Sequence, residues 1–252
     1  MTLILAITCK DGVVLASDGL AINPISGELI KSKYPKIFKL GQNRLWGCSG
    51  STPDIAWFSN ILSKTLRETK NRPLSDFRLR KRLEATAPKI KANAEALARE
   101  KMHISPSDAL PSGLVRCPQY LVVGHQRYPI VWQMADNCES VFFNRDQNEM
   151  THCCIFTIGT GIGQWVARAF FERVKDVCNE YTVTQGSLMA YRIIKEAIKA
   201  SALVGEPIEV WTICNDVVEQ KKDEELKELE RFYNDWTDKE RHISQDFLSS
   251  VS

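Results

Sequence analysis

The chain has 252 residues, of which 44% are hydrophobic and 25% are charged. This length suits one large domain or two small ones, with enough apolar residues for a buried core. A formal net charge of +2 argues against a nucleic-acid or anionic-membrane partner. Since no apolar stretch has transmembrane length and no secretory segment is visible, we expect a soluble, cytoplasmic protein.

The eight cysteines predict buried, reduced thiols. They lie mostly in apolar segments, and no pair shows Cys-x-x-Cys spacing, so they read as small core residues rather than as a disulfide set. Cys153 and Cys154 would point to opposite faces of a strand, which disfavours a shared metal. The glycines at 159, 161 and 163 imitate a dinucleotide-binding turn, but Gln164 takes the place of its last glycine. We therefore expect no metal and no cofactor.

The first fifty residues predict a meander of strands. An apolar run at 2–9 is reversed by a turn at 10–12, and 13–17 runs back to Asp18. Alternation resumes at 37–40 and 44–48, before a turn of small residues.

The following segments alternate between helices and strands. Ser51 predicts the start of a helix with Pro53 in its first turn. Ser75 begins a second helix, which Pro88 should kink or interrupt. Further strands are predicted at 120–123, 130–135, 140–143, 153–158 and 208–214, with helices at 161–177 and 186–202. Two antiparallel sheets stacked face to face, each covered by a helix pair, would bury every apolar face.

The charge-rich segment 221–241 predicts an amphipathic helix. Its apolar residues either fold back on the same domain or contact another subunit. We predict a main domain at 1–216 and a charged helical extension at 217–252.

Thr2 is the candidate nucleophile. If Met1 is removed, Thr2 carries a hydroxyl and a free α-amine on one residue. An α-amine has a reference pKa of about 7.7–8.0, close to the optimum for a base at neutral pH. Threonine with its own terminal amine is a recognised form of nucleophilic catalysis.

Three motifs follow Thr2 in order: Asp18 in Ala-Ser-Asp-Gly, Lys36 in Pro-Lys-Ile-Phe, and Gly50 in Cys-Ser-Gly-Ser. With Thr2, this order resembles the β-type subunits of proteasomes and their bacterial relatives, which are N-terminal-nucleophile threonine hydrolases. The resemblance extends over residues 2–214 and is most specific in the first quarter of the chain. It implies an α+β fold, a four-layer αββα sandwich with two stacked antiparallel sheets between helix pairs.

The resemblance also implies a role for each residue. Thr2 would attack a peptide carbonyl, and Lys36 would depress the pKa of its amine. Asp18 would orient Lys36, and the Gly50 amide would stabilise the oxyanion. Thr160 would replace the serine that the family carries in a Gly-Ser-Gly turn.

Two departures from the family pattern concern the terminal amine. The stretch 201–205 lacks the usual aspartate and second serine, which leaves Ser201 as a partial substitute, and Leu20 stands where an arginine often lies. By the same analogy, five residues would line an apolar pocket beside the scissile bond: Ala21, Tyr34, Phe38, Cys48 and Thr52.

The leading hypothesis is a threonine-type endopeptidase that cleaves polypeptides inside a ring or double ring of identical subunits. The sequence leaves open whether an unfoldase ATPase is a partner. It also leaves open whether the subunits form a closed ring or a helical assembly. The alternatives are a catalytically silent scaffold subunit and an amidase of the same chemistry that acts on small substrates.

Overall fold

A computed structural model describes residues 2–22, 29–31, 34–68, 75–106, 108–110, 115–125, 128–144, 154–159, 161–174 and 181–251. None of the helices in these ranges is long and apolar enough to cross a membrane.

Strands and helices alternate along the chain much as the sequence pattern predicts. The strands are β1 (Leu3–Thr8), β2 (Gly12–Asp18), β3 (Ala21–Ile22), β4 (Leu29–Lys31), β5 (Ile37–Lys39), β6 (Arg44–Ser49), β7 (Gln119–His125), β8 (Pro129–Met134), β9 (Ser140–Asn144), β10 (Ile155–Gly159), β11 (Ile208–Cys214) and β12 (Val217–Gln220). The helices are α1 (Thr52–Glu68), α2 (Asp76–Met102), α3 (Gly161–Val174), α4 (Val183–Ala200) and α5 (Asp223–Val251).

The large strands form two five-stranded antiparallel sheets. The first sheet has the order β10-β1-β2-β11-β12, and the second has the order β5-β6-β7-β8-β9. The predicted continuous meander is therefore wrong, because β1 and β2 belong to the first sheet while β5 and β6 belong to the second. The free side of β2 is occupied by β11 over seven residue pairs, so β5 cannot continue that sheet.

The two sheets stack face to face, and helices cover both outer faces. Between the sheets lies an apolar core that includes Ile4 and Leu15 of the first sheet with Leu45 and Leu121 of the second. Helices α3 and α4 pack on the outer face of the first sheet, and α1 and α2 pack on that of the second. The αββα sandwich is confirmed. Strands β1, β2 and β7 are buried along their whole length because both of their faces are covered.

Helix α2 continues through Pro88, where the sequence predicts a kink or an interruption. Proline removes one backbone hydrogen bond, but it does not remove the packing on either side of it. Leu83 precedes Pro88 and Ile90 follows it, and both are almost fully buried against the second sheet. Packing of the apolar face therefore keeps one helix across the position.

A disulfide joins Cys117 to Cys138, so the prediction that all cysteines are reduced is wrong for this pair. Cys117 precedes β7, and Cys138 lies in the turn between β8 and β9. Because β7 and β8 are neighbours, their pairing brings the two cysteines together, and Cys117 N donates to Asp136 O (2.9 Å). Spacing in the sequence gave no signal for a bond that depends on strand register.

The chain after Asp216 adds a strand that the periodicity did not reveal. Asn215 and Asp216 both have positive φ, as the two central residues of a tight hairpin require, and β12 pairs with β11 beyond them. Helix α5 then folds back on its own domain, where Leu229 and Tyr233 are buried against α4. Residues 241–250 are exposed.

Candidate active site

Thr2 lies directly before β1, at one end of the first sheet, and is half-buried. Strand β1 is the second strand of this sheet, with β10 on one side and β2 on the other. Leu3 is opposite Gly159 in β10, and Ile4 is opposite Ser17 in β2. The ends of three strands therefore surround the start of the chain.

Asp18 is fully buried at the end of β2 and receives four hydrogen bonds. Its Oδ1 accepts from Leu3 N (2.8 Å) and from Lys36 Nζ (2.6 Å). Its Oδ2 accepts from Leu20 N (3.3 Å) and Gly205 N (3.2 Å). Donors from four separate parts of the chain thus fix the carboxylate, which compensates for its removal from water.

Lys36 is 3% exposed and directly precedes β5 of the second sheet. Burial lowers the pKa of Lys36, while the negative charges of Asp18 and, more weakly, Glu209 act in the opposite direction. Glu209 is opposite Ser17 in the β2–β11 pairing. One carboxylate oxygen of Asp18 joins the Lys36 ammonium to the backbone nitrogen of Leu3, so a buried cation lies beside the start of β1.

Gly159 ends β10 against the backbone of Thr2. Its φ is +123°, and a Cβ atom added there would lie 1.7 Å from the carbonyl oxygen of Thr2. Only glycine fits this position, because both the backbone conformation and the close approach exclude a side chain. Thr160, the next predicted site residue, lies outside the described residues.

Gly50 lies in the turn between β6 and α1 and is exposed. Ser51 and Asp54 cap the helix behind it, with Ser51 N donating to Asp54 Oδ2 (2.8 Å) and Asp54 N donating to Ser51 Oγ (3.4 Å). A Cβ atom on Gly50 would lie 3.1 Å from both Asp54 Oδ2 and Pro118 Cβ. The turn is therefore held between the first turn of α1 and the residue before β7.

Two glutamines, which the sequence analysis missed, connect this turn to Gly159. Gln119 is opposite Ser49 in the β6–β7 pairing, and its Oε1 accepts from Gly159 N (2.6 Å). Gln164, in the first turn of α3, donates from Nε2 to the same oxygen (3.1 Å) and to Gly159 O (3.4 Å). No motif marks them, and only the position of Gln119 at the start of an alternating strand could have indicated an inward-pointing side chain.

The predicted pocket residues fall into two groups. Ala21 and Tyr34 are half-buried near the end of β2, where Tyr34 N donates to Gly19 O (3.0 Å). Phe38 stacks on Trp46 with ring centroids 4.6 Å apart.

Phe38 and Cys48 belong to the core between the second sheet and its helices. Burial raises the pKa of the Cys48 thiol, so this cysteine stays protonated. Thr52 is exposed at the first residue of α1. The sheet thus brings Phe38 and Cys48 together, while Thr52 lies at the start of the helix that covers them.

The role of Ser201 as a partial substitute at the terminal amine stays a prediction. Ser201 follows the last residue of α4, and its Oγ accepts from Leu203 N (3.2 Å). The loop reaches the site through the Gly205 amide on Asp18, which is a backbone contact. In the described part of the chain, no three His, Cys, Asp or Glu side chains come together as a candidate metal site.

The proteasome subunit family model matches residues 2–95 of this chain. The matched span contains Thr2, Asp18, Lys36 and Gly50, four of the five catalytic residues that the sequence analysis predicts. The match and the sandwich fold support a proteasome β-type family member. No curated protein sequence matches the chain. Members of the proteasome family generally assemble into multi-subunit rings, and some of them are inactive.

Proposed function

We propose that this proteasome-like subunit is a threonine-type endopeptidase whose nucleophile is Thr2 after removal of Met1. One observation carries the proposal: Asp18 Oδ1 accepts hydrogen bonds from both Leu3 N and Lys36 Nζ, inside a fully buried site. A buried ion pair is difficult to justify by stability alone, since apolar residues of similar volume often serve the fold equally well. Its location beside the first strand favours a chemical role.

The reaction needs no group beyond the chain and a water molecule. The Thr2 Oγ attacks the peptide carbonyl carbon while its proton passes to the α-amine. The amine then protonates the leaving nitrogen, and the peptide C–N bond breaks to leave an ester on Oγ. Water, deprotonated by the same amine, attacks the ester, the bond between the acyl carbon and Oγ breaks, and the amine returns its proton to Oγ as the carboxylic acid leaves. The Gly50 amide would donate to the oxyanion in both steps.

Lys36 would act on the amine through its charge. A cation close to an α-amine disfavours a second positive charge and so lowers the pKa of the amine. Asp18 would hold Lys36 in place through the 2.6 Å ion pair. In this proposal the amine is neutral at physiological pH and ready to accept the Thr2 proton.

The proposal extends to the substrate and the assembly. The substrate would be a polypeptide that enters a ring or double ring of identical subunits, and an unfoldase ATPase is a candidate partner. The pocket would be lined by Ala21, Tyr34, Phe38, Cys48 and Thr52, and Thr160 would replace the hydroxyl residue that the family carries near the nucleophile. A cytoplasmic location remains a prediction from the sequence.

Intact mass and covalent labelling test the proposal together. The mature protein should lack Met1, and an electrophile that requires both the hydroxyl and the amine of one N-terminal residue should acylate Thr2. Lys36→Ala should abolish this labelling. Lys39→Ala is the matched control, because Lys39 is an exposed lysine three residues further along. Retention of Met1, or unchanged labelling of Lys36→Ala, would refute the mechanism.

One observation favours a second candidate, the silent scaffold subunit. The hydroxyl of Ser201 bonds locally to Leu203 N, and the missing acid leaves the amine with fewer partners than the family usually supplies. A scaffold would form the ring but leave Thr2 unlabelled. An amidase for small substrates would be labelled and would hydrolyse small amides but not peptides.

A further inference from the structure

The edge of the first sheet next to Thr2 has an unusual hydrogen-bonding arrangement. Strand β10 is paired on one side with β1, and it is the last strand of that sheet among the described residues. Thr8 N donates to Cys154 O (3.0 Å), which shows which residues bond to β1. Because antiparallel residues alternate in this respect, Thr157 and Gly159 direct their N–H and C=O groups away from β1, to the open edge.

Two side chains of the second sheet form hydrogen bonds with backbone groups at this open edge. Gln119 of β7 accepts from Gly159 N (2.6 Å), and Gln133 of β8 donates to Thr157 O (2.9 Å). Leu121 follows Gln119 with the same parity and lies in the core between the sheets, so Gln119 also points between them. Two glutamines thus take the place of a neighbouring strand, and an unpaired backbone group at this depth would be costly.

Gln119 and Gln133 bond to backbone groups that lie at different distances from Thr2. Gly159 is in contact with the backbone of Thr2. Its N–H donates a hydrogen bond to Gln119 Oε1, and Gln164 Nε2 donates to the same oxygen. Thr157 is opposite Leu5, two residues further into the sheet. Gln119 is therefore connected to the candidate nucleophile through Gly159, whereas Gln133 bonds to the same edge strand further from Thr2.

We propose that Gln119 is a positioning residue for Thr2, acting through Gly159, and this inference rests on the proposed function. The Gln119 carbonyl fixes Gly159 N, which fixes the backbone that meets the Thr2 carbonyl. The residue also spans the two sheets, linking the strand beside the Gly50 turn to the strand beside Thr2. It therefore sets the distance between the nucleophile and the turn that would bind the oxyanion.

The contact between Gln119 and Gly159 could replace part of the orientation that the missing side chains at 201–205 would give to Thr2. The usual acid and second serine that orient the terminal amine are missing from 201–205, and Ser201 is engaged locally. Orientation of residue 2 then depends more on its backbone. A backbone held by Gly159 and Gln119 supplies that orientation without contacting the amine.

Three variants test the proposal. Gln119→Leu removes the acceptor at similar volume, Gln119→Glu keeps an acceptor but adds charge, and Gln133→Leu is the matched control. The first readout is hydrogen exchange at the Gly159 amide, which should be at least about tenfold faster in Gln119→Leu and restored in Gln119→Glu. The second is the pH dependence of the N-terminal amine, measured by competitive labelling with an amine-reactive reagent and peptide mass. This second readout requires no hydrolytic activity.

We expect Gln119→Leu to slow acylation of Thr2 by about tenfold or more and to shift the amine titration, while Gln133→Leu changes neither. Gln119→Glu should restore Gly159 protection but raise the pKa of the amine, because it adds a negative charge nearby. Equal acylation rates and titrations in Gln119→Leu and Gln133→Leu would overturn the proposal. So would faster Gly159 exchange without any change at Thr2, which would make Gln119 merely structural.

The outcome is separable from that of the proposed function. If the unaltered protein is not acylated, the peptidase proposal fails, and the amine titration and Gly159 exchange still decide the role of Gln119. If Gln119→Leu does not fold, the pH profile of Gln119→Glu decides it, and an unshifted amine pKa in that variant overturns the proposal.

Discussion

Two buried cations in this molecule show different solutions to the same electrostatic problem. Lys36 is 3% exposed and Arg192 is 4% exposed. Lys36 is held by Asp18, which is itself fully buried. Arg192 pairs with Glu240, a residue that is half-exposed on α5. One pair is closed off from water, and the other is open to it.

Arg192 relies on aromatic faces where Lys36 relies on a carboxylate. Its guanidinium lies 4.6 Å from the Phe170 ring centroid and 3.8 Å from that of Trp236. Within the described residues, Arg192 Nε and Nη1 are buried without a hydrogen-bond partner. The flat, weakly hydrated guanidinium tolerates stacking between rings, which a lysine ammonium tolerates less well.

The difference separates a cation used for packing from a cation suited to chemistry. Arg192 joins α3, α4 and α5, and its charge is dispersed over rings that bury apolar area. Lys36 keeps a compact charge beside the start of the chain, at a desolvation cost that the Asp18 contact must offset. A carboxylate substitution should therefore have very different effects at the two sites.

The largest effect is expected for Asp18→Asn. This change leaves the buried Lys36 ammonium without its counter-charge, so the free energy of unfolding should fall by about 3–5 kcal/mol. Urea unfolding at neutral pH measures it. In a Lys36→Met background the same change should cost much less, because no charge is left uncompensated. An equal cost in both backgrounds would show that the ion pair is not the cause.

Much of the fold could be predicted because its determinants are local. The apolar runs of β1 and β2 and the Ser75 cap of α2 are properties of short segments, and the structure shows them as buried strands and a capped helix. The misassigned meander and the missed disulfide depend on which strands become neighbours. Pairing of β2 with β11 and of β7 with β8 joins residues far apart in sequence, and no local pattern encodes that choice.

The same reasoning explains what was found and missed at the site. The Asp18–Lys36 contact was implied by the family resemblance, and the structure shows it as an ion pair, although its catalytic role stays a prediction. Gln119 and Gly205 were missed. Gln119 acts through a side chain on another sheet, and Gly205 acts through its backbone N–H, which any non-proline residue supplies.

The next largest effect is expected for Arg192→Leu. It removes the stacked guanidinium between Phe170 and Trp236, and we expect a loss of about 2 kcal/mol from desolvated cation–π contacts. Hydrogen exchange over 223–240 should become faster than in the unaltered protein. Arg231→Leu is the control, since Arg231 is exposed over Phe232 and should contribute little. Unchanged exchange in Arg192→Leu would show that α5 is held by apolar packing alone.

Lys36→Met should alter how stability depends on pH. Burial lowers the pKa of Lys36 in the folded chain below 10.5. At pH values between that lowered pKa and 10.5, Lys36 binds more protons in the unfolded chain than in the folded chain. Its contribution to the free energy of unfolding therefore rises with pH. The difference between the unaltered protein and Lys36→Met should rise by at most about 1.4 kcal/mol per pH unit in that window. A flat or falling difference in urea unfolding would mean that the pKa is not lowered.

The smallest effect is expected for Glu240→Gln, and it is the sharpest test of the comparison. Glu240 is 52% exposed, so its attraction to Arg192 is screened by water, and we expect a loss below about 1 kcal/mol. After the change the Arg192 guanidinium still contacts the Phe170 and Trp236 rings, whereas Lys36 in Asp18→Asn loses its carboxylate partner. Urea unfolding at low and high salt measures the difference, and only the Glu240→Gln effect should shrink with salt. A loss as large as that of Asp18→Asn would mean that the rings do not hold the charge, and that the two cations are stabilised in the same way.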